Sequence, residues 1–183
     1  MEQEFPLYIR LQAFLLRDDI PPEGKIRPQT GDGAQPGDLQ EPLRTAALEE
    51  GLSKMKRSVR ISYSLPALEA TEYAKEQGKY KEFHKACYRA YWEEAQDIGD
   101  FQVLQSIAIR CGLDWAELET RLLSKHYREA VQGQFRAGIE IGVRAIPAFV
   151  IGNNGFTGAA PYETFRIAAQ RAMPLVKPEE HSP

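Results

Sequence analysis

From residue 43 to residue 142 the apolar residues recur at helical spacing, punctuated by glycines, and on either side of that block the pattern is that of strands. Before it, Leu7, Ile9, Leu11, Ala13 and Leu15 alternate with Tyr8, Arg10, Gln12 and Phe14, a period of two that predicts a strand. After it, Ala148-Phe149-Val150-Ile151 is a short continuous apolar run of the kind expected for a strand buried on both faces. Gly152-Asn153-Asn154-Gly155 tolerates positive φ and Phe156-Thr157 resumes the strand, so a hairpin is predicted. The order is one strand, a long helical block, a hairpin and a closing helix.

Between the first strand and the block, residues 21–42 hold five prolines and four glycines, too many breakers for a regular element. A helix is then predicted over 43–58, ending on the basic run Lys54-Met55-Lys56-Arg57. Ser64 stands before Leu65-Pro66 as an N-cap with proline in the first turn. Phe83, Cys87, Ala90, Tyr91 and Ile98 follow at helical spacing, broken near Gly78 and stopped by Gly99. Asp100 and Asp114 open two further helices. The first carries Leu104, Ile107, Ala108 and Cys111 and ends at Gly112; the second carries Trp115, Leu118 and Leu122. A helix with Val131, Phe135 and Ile139 stops at Gly142. Pro161 starts the last one, with Tyr162, Phe165, Ala169 and Ala172 facing inward, and a frayed tail is expected from Pro174.

A formal charge of −3 offers no electrostatic attraction for nucleic acid or an anionic membrane. No apolar run approaches the roughly 20 residues that span a bilayer. The acidic first residues lead into only a short apolar stretch, so no secretory signal is expected. The two cysteines, Cys87 and Cys111, match neither a CxxC nor a zinc pattern, and a reducing, cytoplasmic setting is the default expectation.

The element order and seven short segments together resemble the DsbA-like thioredoxin-fold family, and within it the FrnE-type branch. The segment from Gly142 through Val143, Arg144, Ala145, Ile146, Pro147, Ala148 and Phe149 to Ile151 is similar to the family's GV-x-G-V-P-x-F stretch. Gly158-Ala159-Ala160-Pro161 resembles its GAQP at the start of the last helix. Phe83-His84, Asp97-Ile98-Gly99-Asp100 and Gly112-Leu113 fall at the branch's FH, DIGD and GL positions. Phe14-Leu15-Leu16-Arg17 and Asp19-Ile20-Pro21-Pro22-Glu23-Gly24 look like its second strand and following loop. Ala145 stands for the usual glycine and Ala160 for the usual glutamine.

The resemblance implies an α/β fold, a thioredoxin-like sheet with a large all-helical insertion. Residues 1–42 and 143–176 would form the thioredoxin-like part, 43–142 the insertion and 177–183 a tail. It implies a thiol–disulfide oxidoreductase in which Pro147 follows a cis bond. The backbone of Ala145 and Ile146 beside Pro147 would then pair with a polypeptide thiol or disulfide substrate, or with glutathione. In that family a first strand, a CxxC and its helix precede the second strand, whereas only residues 1–6 do so here, so the chain is expected to be inactive as given. A dithiol oxidoreductase needs a cysteine at a helix N-terminus, where the dipole and free N–H groups stabilise a thiolate. Relatives related to 2-hydroxychromene-2-carboxylate isomerase or kappa-class glutathione transferase use serine there. A glutathione-dependent isomerase or transferase therefore stays as an alternative, as does a non-catalytic peptide-binding or assembly protein. Glutathione apart, no cofactor is expected.

Other residues have plainer readings. Cys87 and Cys111 lie on apolar helix stripes and read as core rather than as a redox pair. His84 and His126 have no Cys or Asp at ligand or triad spacing, so neither a metal nor a catalytic role is expected. Tyr88, Tyr91 and Trp92 read as core or rim aromatics, and the basic run as a solvated helix end. Without a first strand, strands 7–15 and 148–151 would expose unpaired edges, and a homodimer is expected to cover them.

Overall fold

The computed structural model describes residues 1, 4–28 and 37–173. In chain order its elements are β1 (Lys25–Ile26), α1 (Leu43–Glu49), β2 (Arg60–Ile61), α2 (Leu65–Glu76), α3 (Tyr80–Trp92) and α4 (Phe101–Arg110). They continue with α5 (Trp115–Leu123), α6 (Arg128–Glu140), β3 (Ala148–Ile151), β4 (Asn154–Thr157) and α7 (Tyr162–Ala172). The chain divides into one unit of Met1–Leu16 with Gln134–Pro183 and another of Arg17–Gly133. The division anticipated at 42/43 and 142/143 is displaced. Ile20 is buried at 3% exposure and β1 pairs antiparallel with β2, which ties the loop after residue 16 to the helical unit. The tail expected at 177–183, and the fraying from Pro174, lie outside the described residues.

In the helical unit α2 to α5 pack around Tyr73, Phe83, Leu104, Ile107 and Leu118, all fully buried. Each such side chain withdrawn from water contributes about 1.5–3 kcal/mol. Two predicted caps are made. The Asp100 carboxylate accepts from the Gln102 N–H at 2.8 Å, and that of Asp114 from the Glu117 N–H at 3.1 Å. Each satisfies a donor that the first turn leaves without an intrahelical partner, at about 1 kcal/mol. Ser64 does precede α2, with proline in the first turn, but its side chain makes no capping bond.

Three predicted elements come out differently. The helix expected over 43–58 ends at Glu49, closed by Gly51 N–H to Leu48 C=O at 3.0 Å and Leu52 N–H to Ala47 C=O at 2.7 Å. The basic run is therefore not a helix end; Lys56 N–H instead bonds Trp92 C=O at 2.7 Å. α3 stops at Trp92 rather than Gly99, and Ile98 packs on the core from the loop. Residues 7–15 form no strand. Alternation chooses which face of a strand is buried, but a strand exists only within a ladder, and neither sheet among the described residues includes this segment. Tyr8 and Ile9 are exposed, while Ala13 N–H is held by Gln134 Oε1 at 2.6 Å and the Phe14 ring lies edge-on to Phe135.

In the same unit β3 and β4 form a hairpin with Phe149 opposite Phe156. Both rings pack on Phe165 of α7, at 4.8 and 4.9 Å between centroids. β3 is not buried on both faces as its apolar run suggested. One face meets α7, and Val150 on the other is 58% exposed. Tyr162, expected to face inward, is also exposed; Ala168 and Ala169 are the buried residues of α7.

Candidate functional site

The segment between α6 and β3 begins at a helix end that turns the chain sharply. Gly142 adopts φ +88°, a conformation in which a Cβ would be strained. Its N–H reaches Ile139 C=O at 3.0 Å and Val143 N–H reaches Gly138 C=O at 2.9 Å, the two bonds of a Schellman end. Arg144 then folds back, donating from Nη1 to Ile139 C=O at 2.8 Å and Val143 C=O at 2.9 Å. Its charge sits on carbonyls at the negative end of the helix dipole, a favourable place for a cation.

That anchoring leaves Ala145, Ile146 and Pro147 exposed, with Ile146 at 46%. The Ile146–Pro147 bond is cis. Pro147 C=O accepts from Gly158 N–H at 2.8 Å and so continues the β3–β4 ladder by one rung. The backbone groups of Ala145 and Ile146 make no hydrogen bond among the described residues. The three residues singled out in the sequence therefore form one exposed segment, in which the backbone of Ala145 and Ile146 can offer main-chain hydrogen bonds to an extended ligand.

The cysteines sit in the other unit, in different surroundings. Cys87 is buried in the middle of α3, and burial pushes its thiol up to about 12, with Cys111 adding to the shift. Cys111 is the C-cap of α4, half-buried, its thiol also pushed up, again mainly by burial. A helix C-terminus carries the negative end of the dipole and disfavours a thiolate. Cys87 belongs to the apolar cluster and Cys111 packs against it from a partly buried position.

His84 is not isolated. Its ring lies between Tyr80 and Tyr88, at 5.1 and 4.6 Å between centroids. Burial, then the charge of Lys75, lowers its pKa below the ordinary 6.5. The unfolded chain therefore takes up a proton more readily than the folded one, so stability falls as pH drops through the ordinary histidine range. Melting temperatures should decline between pH 7.5 and 5.5 in the parent, and decline less in His84→Gln. Equal slopes would remove His84 as the cause. Tyr88, expected in the core or rim, is 57% exposed and stacks on this histidine. Tyr91 accepts from Arg27 Nη2 at 3.3 Å and meets Trp92 edge-on.

Two polar groupings went unmarked in the sequence. Tyr73 donates to Glu117 at 2.9 Å and Tyr127 to Glu76 at 2.5 Å, while Arg121 bonds Glu117 at 2.6 Å and Tyr127 at 3.1 Å. His126 stands beside it, 3.4 Å from Arg121 Nη1. Glu69, 1% exposed, pairs with Arg128. Only the i, i+4 spacing of Glu117 and Arg121 was visible beforehand. Among the described residues no group of acidic, Cys or His side chains could hold a metal, and no helix is long and apolar enough to cross a membrane.

Sequence comparison matches residues 3–170 to the DSBA-like thioredoxin domain. The chain belongs to that family. The DsbA-like fold is α/β with a helical insertion, here seven helices and two two-stranded sheets among the described residues. A probable DsbA oxidoreductase from Streptomyces coelicolor superposes with a TM-score of 0.63 at 25% identity, over 76% of this chain. This DsbA-like chain covers 61% of the length of that solved structure. The uncharacterized protein YwbO of Bacillus subtilis (strain 168) is 25% identical over 155 residues, 79% of this chain and 76% of YwbO.

Proposed function

We propose that this chain is a FrnE-type member of the DsbA-like family that holds an extended polypeptide against Ala145, Ile146 and Pro147, and that its own cysteines carry no thiol–disulfide exchange. The observation that supports the first part is the exposed, unbonded backbone of Ala145 and Ile146, beside a proline whose carbonyl is committed to the hairpin. An extended peptide supplies the N–H and C=O groups that such a backbone lacks, as in other strand-addition sites. The second part rests on the thiols. Exchange starts from a thiolate, and burial of Cys87 with the helix-end position of Cys111 opposes ionisation in both.

Insulin reduction by this 183-residue chain should run no faster than with glutathione alone. Native alkylation at pH 8 should modify Cys111 slowly and Cys87 only after unfolding. Turnover above the glutathione rate, lost in Cys87→Ser or Cys111→Ser, would overturn the redox half. Titration with an extended apolar peptide should shift the amide resonances of Ala145 and Ile146. Unmoved resonances at saturating peptide would overturn the binding half.

A further inference from the structure

The chain's two asparagines stand side by side, Asn153 in the hairpin turn and Asn154 as the first residue of β4, and Gly155 follows them. An asparagine Cγ lies within reach of the backbone nitrogen of the next residue, and attack by that nitrogen closes a cyclic imide. The N–H must be free to lose its proton, and no side chain may crowd it. The hairpin register decides which asparagine meets both conditions. Gly158 N–H bonds Pro147 C=O at 2.8 Å, and bonded pairs recur every second residue of an antiparallel ladder, at Phe149 with Phe156 and at Ile151 with Asn154. Asn154 N–H is therefore committed to Ile151 across the turn, which ties down the nitrogen that Asn153 would need. Gly155, opposite Val150, lies between bonded pairs. Its N–H points to the outer edge of β4, where nothing bonds it among the described residues.

Gly155 is exposed, so hydroxide reaches it. The fold does not require glycine there: a Cβ would meet only Phe149 C=O, at 3.9 Å, an ordinary contact. The Asn154 side chain is held by one long bond, Nδ2 to Ile151 C=O at 3.4 Å. Ring closure needs Asn154 to leave the extended conformation, and it sits on the last rung of the ladder, where local opening is easiest. We infer that Asn154–Gly155 is a self-modification site, at which Asn154 converts through a cyclic imide to aspartate and isoaspartate, with hydroxide and water as the only co-reactants. Hydroxide takes the Gly155 N–H proton and the nitrogen attacks Asn154 Cγ. The new C–N bond forms as the Cγ–Nδ2 bond breaks, and the nitrogen leaves as ammonia with a proton from water. Water then adds to either imide carbonyl. Breaking the bond from Gly155 N to Cγ gives aspartate; breaking its bond to the Asn154 backbone carbonyl carbon gives isoaspartate, with the chain running through Cγ. Nothing is oxidised or reduced. Either product puts a carboxylate at the tip of the hairpin. Isoaspartate also adds a carbon to the backbone just before Phe156, whose ring stacks on Phe149 at 5.3 Å.

Incubation of the folded chain at pH 8 over weeks, with mass spectrometry of the tryptic peptide 145–166 that holds both asparagines, tests this. The peptide should gain the mass of amide-to-acid conversion at Asn154, in aspartate and isoaspartate forms, with an equal amount of ammonia released and a rate that rises with hydroxide. Gly155→Ala, whose methyl crowds the attacking nitrogen, should slow the gain by about tenfold or more. Protected amides at Phe149 and Ile151 report a folded hairpin in that variant. Asn154→Gln, whose longer side chain closes a less favourable ring, should leave the peptide mass unchanged over the same period. A native chain that gains no mass while the urea-unfolded chain does would overturn the inference, since the ladder would then hold Asn154 closed. Conversion at Asn153, a product with aspartate alone, or a gain as fast in either variant as in the parent would overturn it as well.

Discussion

Arg128→Ala should destabilise the chain by about 3–5 kcal/mol, the cost of leaving a buried charge without its partner. Glu69 is 1% exposed on α2, and Arg128 at the start of α6 donates to its carboxylate from Nε, with Nη2 at 3.5 Å from the second oxygen. That hydrogen bond, before any other influence, raises the pKa of Arg128 and keeps the guanidinium charged. Removing the arginine strands the carboxylate where water does not reach it. Replacing both partners together, as Glu69→Leu with Arg128→Met, should recover most of the loss, because an apolar pair of similar volume has no charge to desolvate. Urea unfolding of the two single variants and the double variant measures this. Single variants within about 1 kcal/mol of the parent would mean that water reaches Glu69 after all.

Phe83→Ala should cost about 3–5 kcal/mol, the range for deleting a buried aromatic ring. Phe83 is fully buried in the cluster that α2 to α5 build around Tyr73, Leu104 and Ile107. Two terms add: the transfer free energy of the ring, and a cavity whose lining loses its contacts because helices on several sides cannot collapse into it. Tyr88 on the same helix is the internal control. It is 57% exposed, and Tyr88→Ala should change stability by no more than about 0.5 kcal/mol. Similar midpoints for the two variants would mean that the helical core is loosely packed and that burial at Phe83 is not what holds α3 in place.

Helix periodicity is a local property, and it located the helical block with little loss. Leu104, Ile107 and Ala108 lie buried on one face of α4, as their spacing required, and Asp100 and Asp114 cap the helices they precede. Caps are legible because the acceptor and the donor it satisfies stand two or three residues apart. The hairpin was legible too, though its turn is Gly152 and Asn153 alone and the second strand resumes at Asn154 rather than Phe156, with Phe149 opposite Phe156. The exposed segment at Ala145, Ile146 and Pro147 was found through family resemblance, since alanine, isoleucine and proline have no chemistry of their own that marks a site.

What the sequence by itself determined, then, is whatever is decided within a few residues: helix faces, caps, turns and the family signature. Tertiary structure alone decided the rest, because it depends on partners that spacing does not identify. Residues 7–15 have strand alternation, yet a strand is a property of two segments, and neither sheet among the described residues includes them. The apolar run of β3 reads as buried on both faces, but α7 covers only one of them. Glu69 and Arg128 lie 59 positions apart, and Tyr73 and Glu117 lie 44 apart. Nothing in the order of residues sets such charges and hydroxyls against each other. Packing the helices does, and a buried charge then persists only where the fold has brought it a partner.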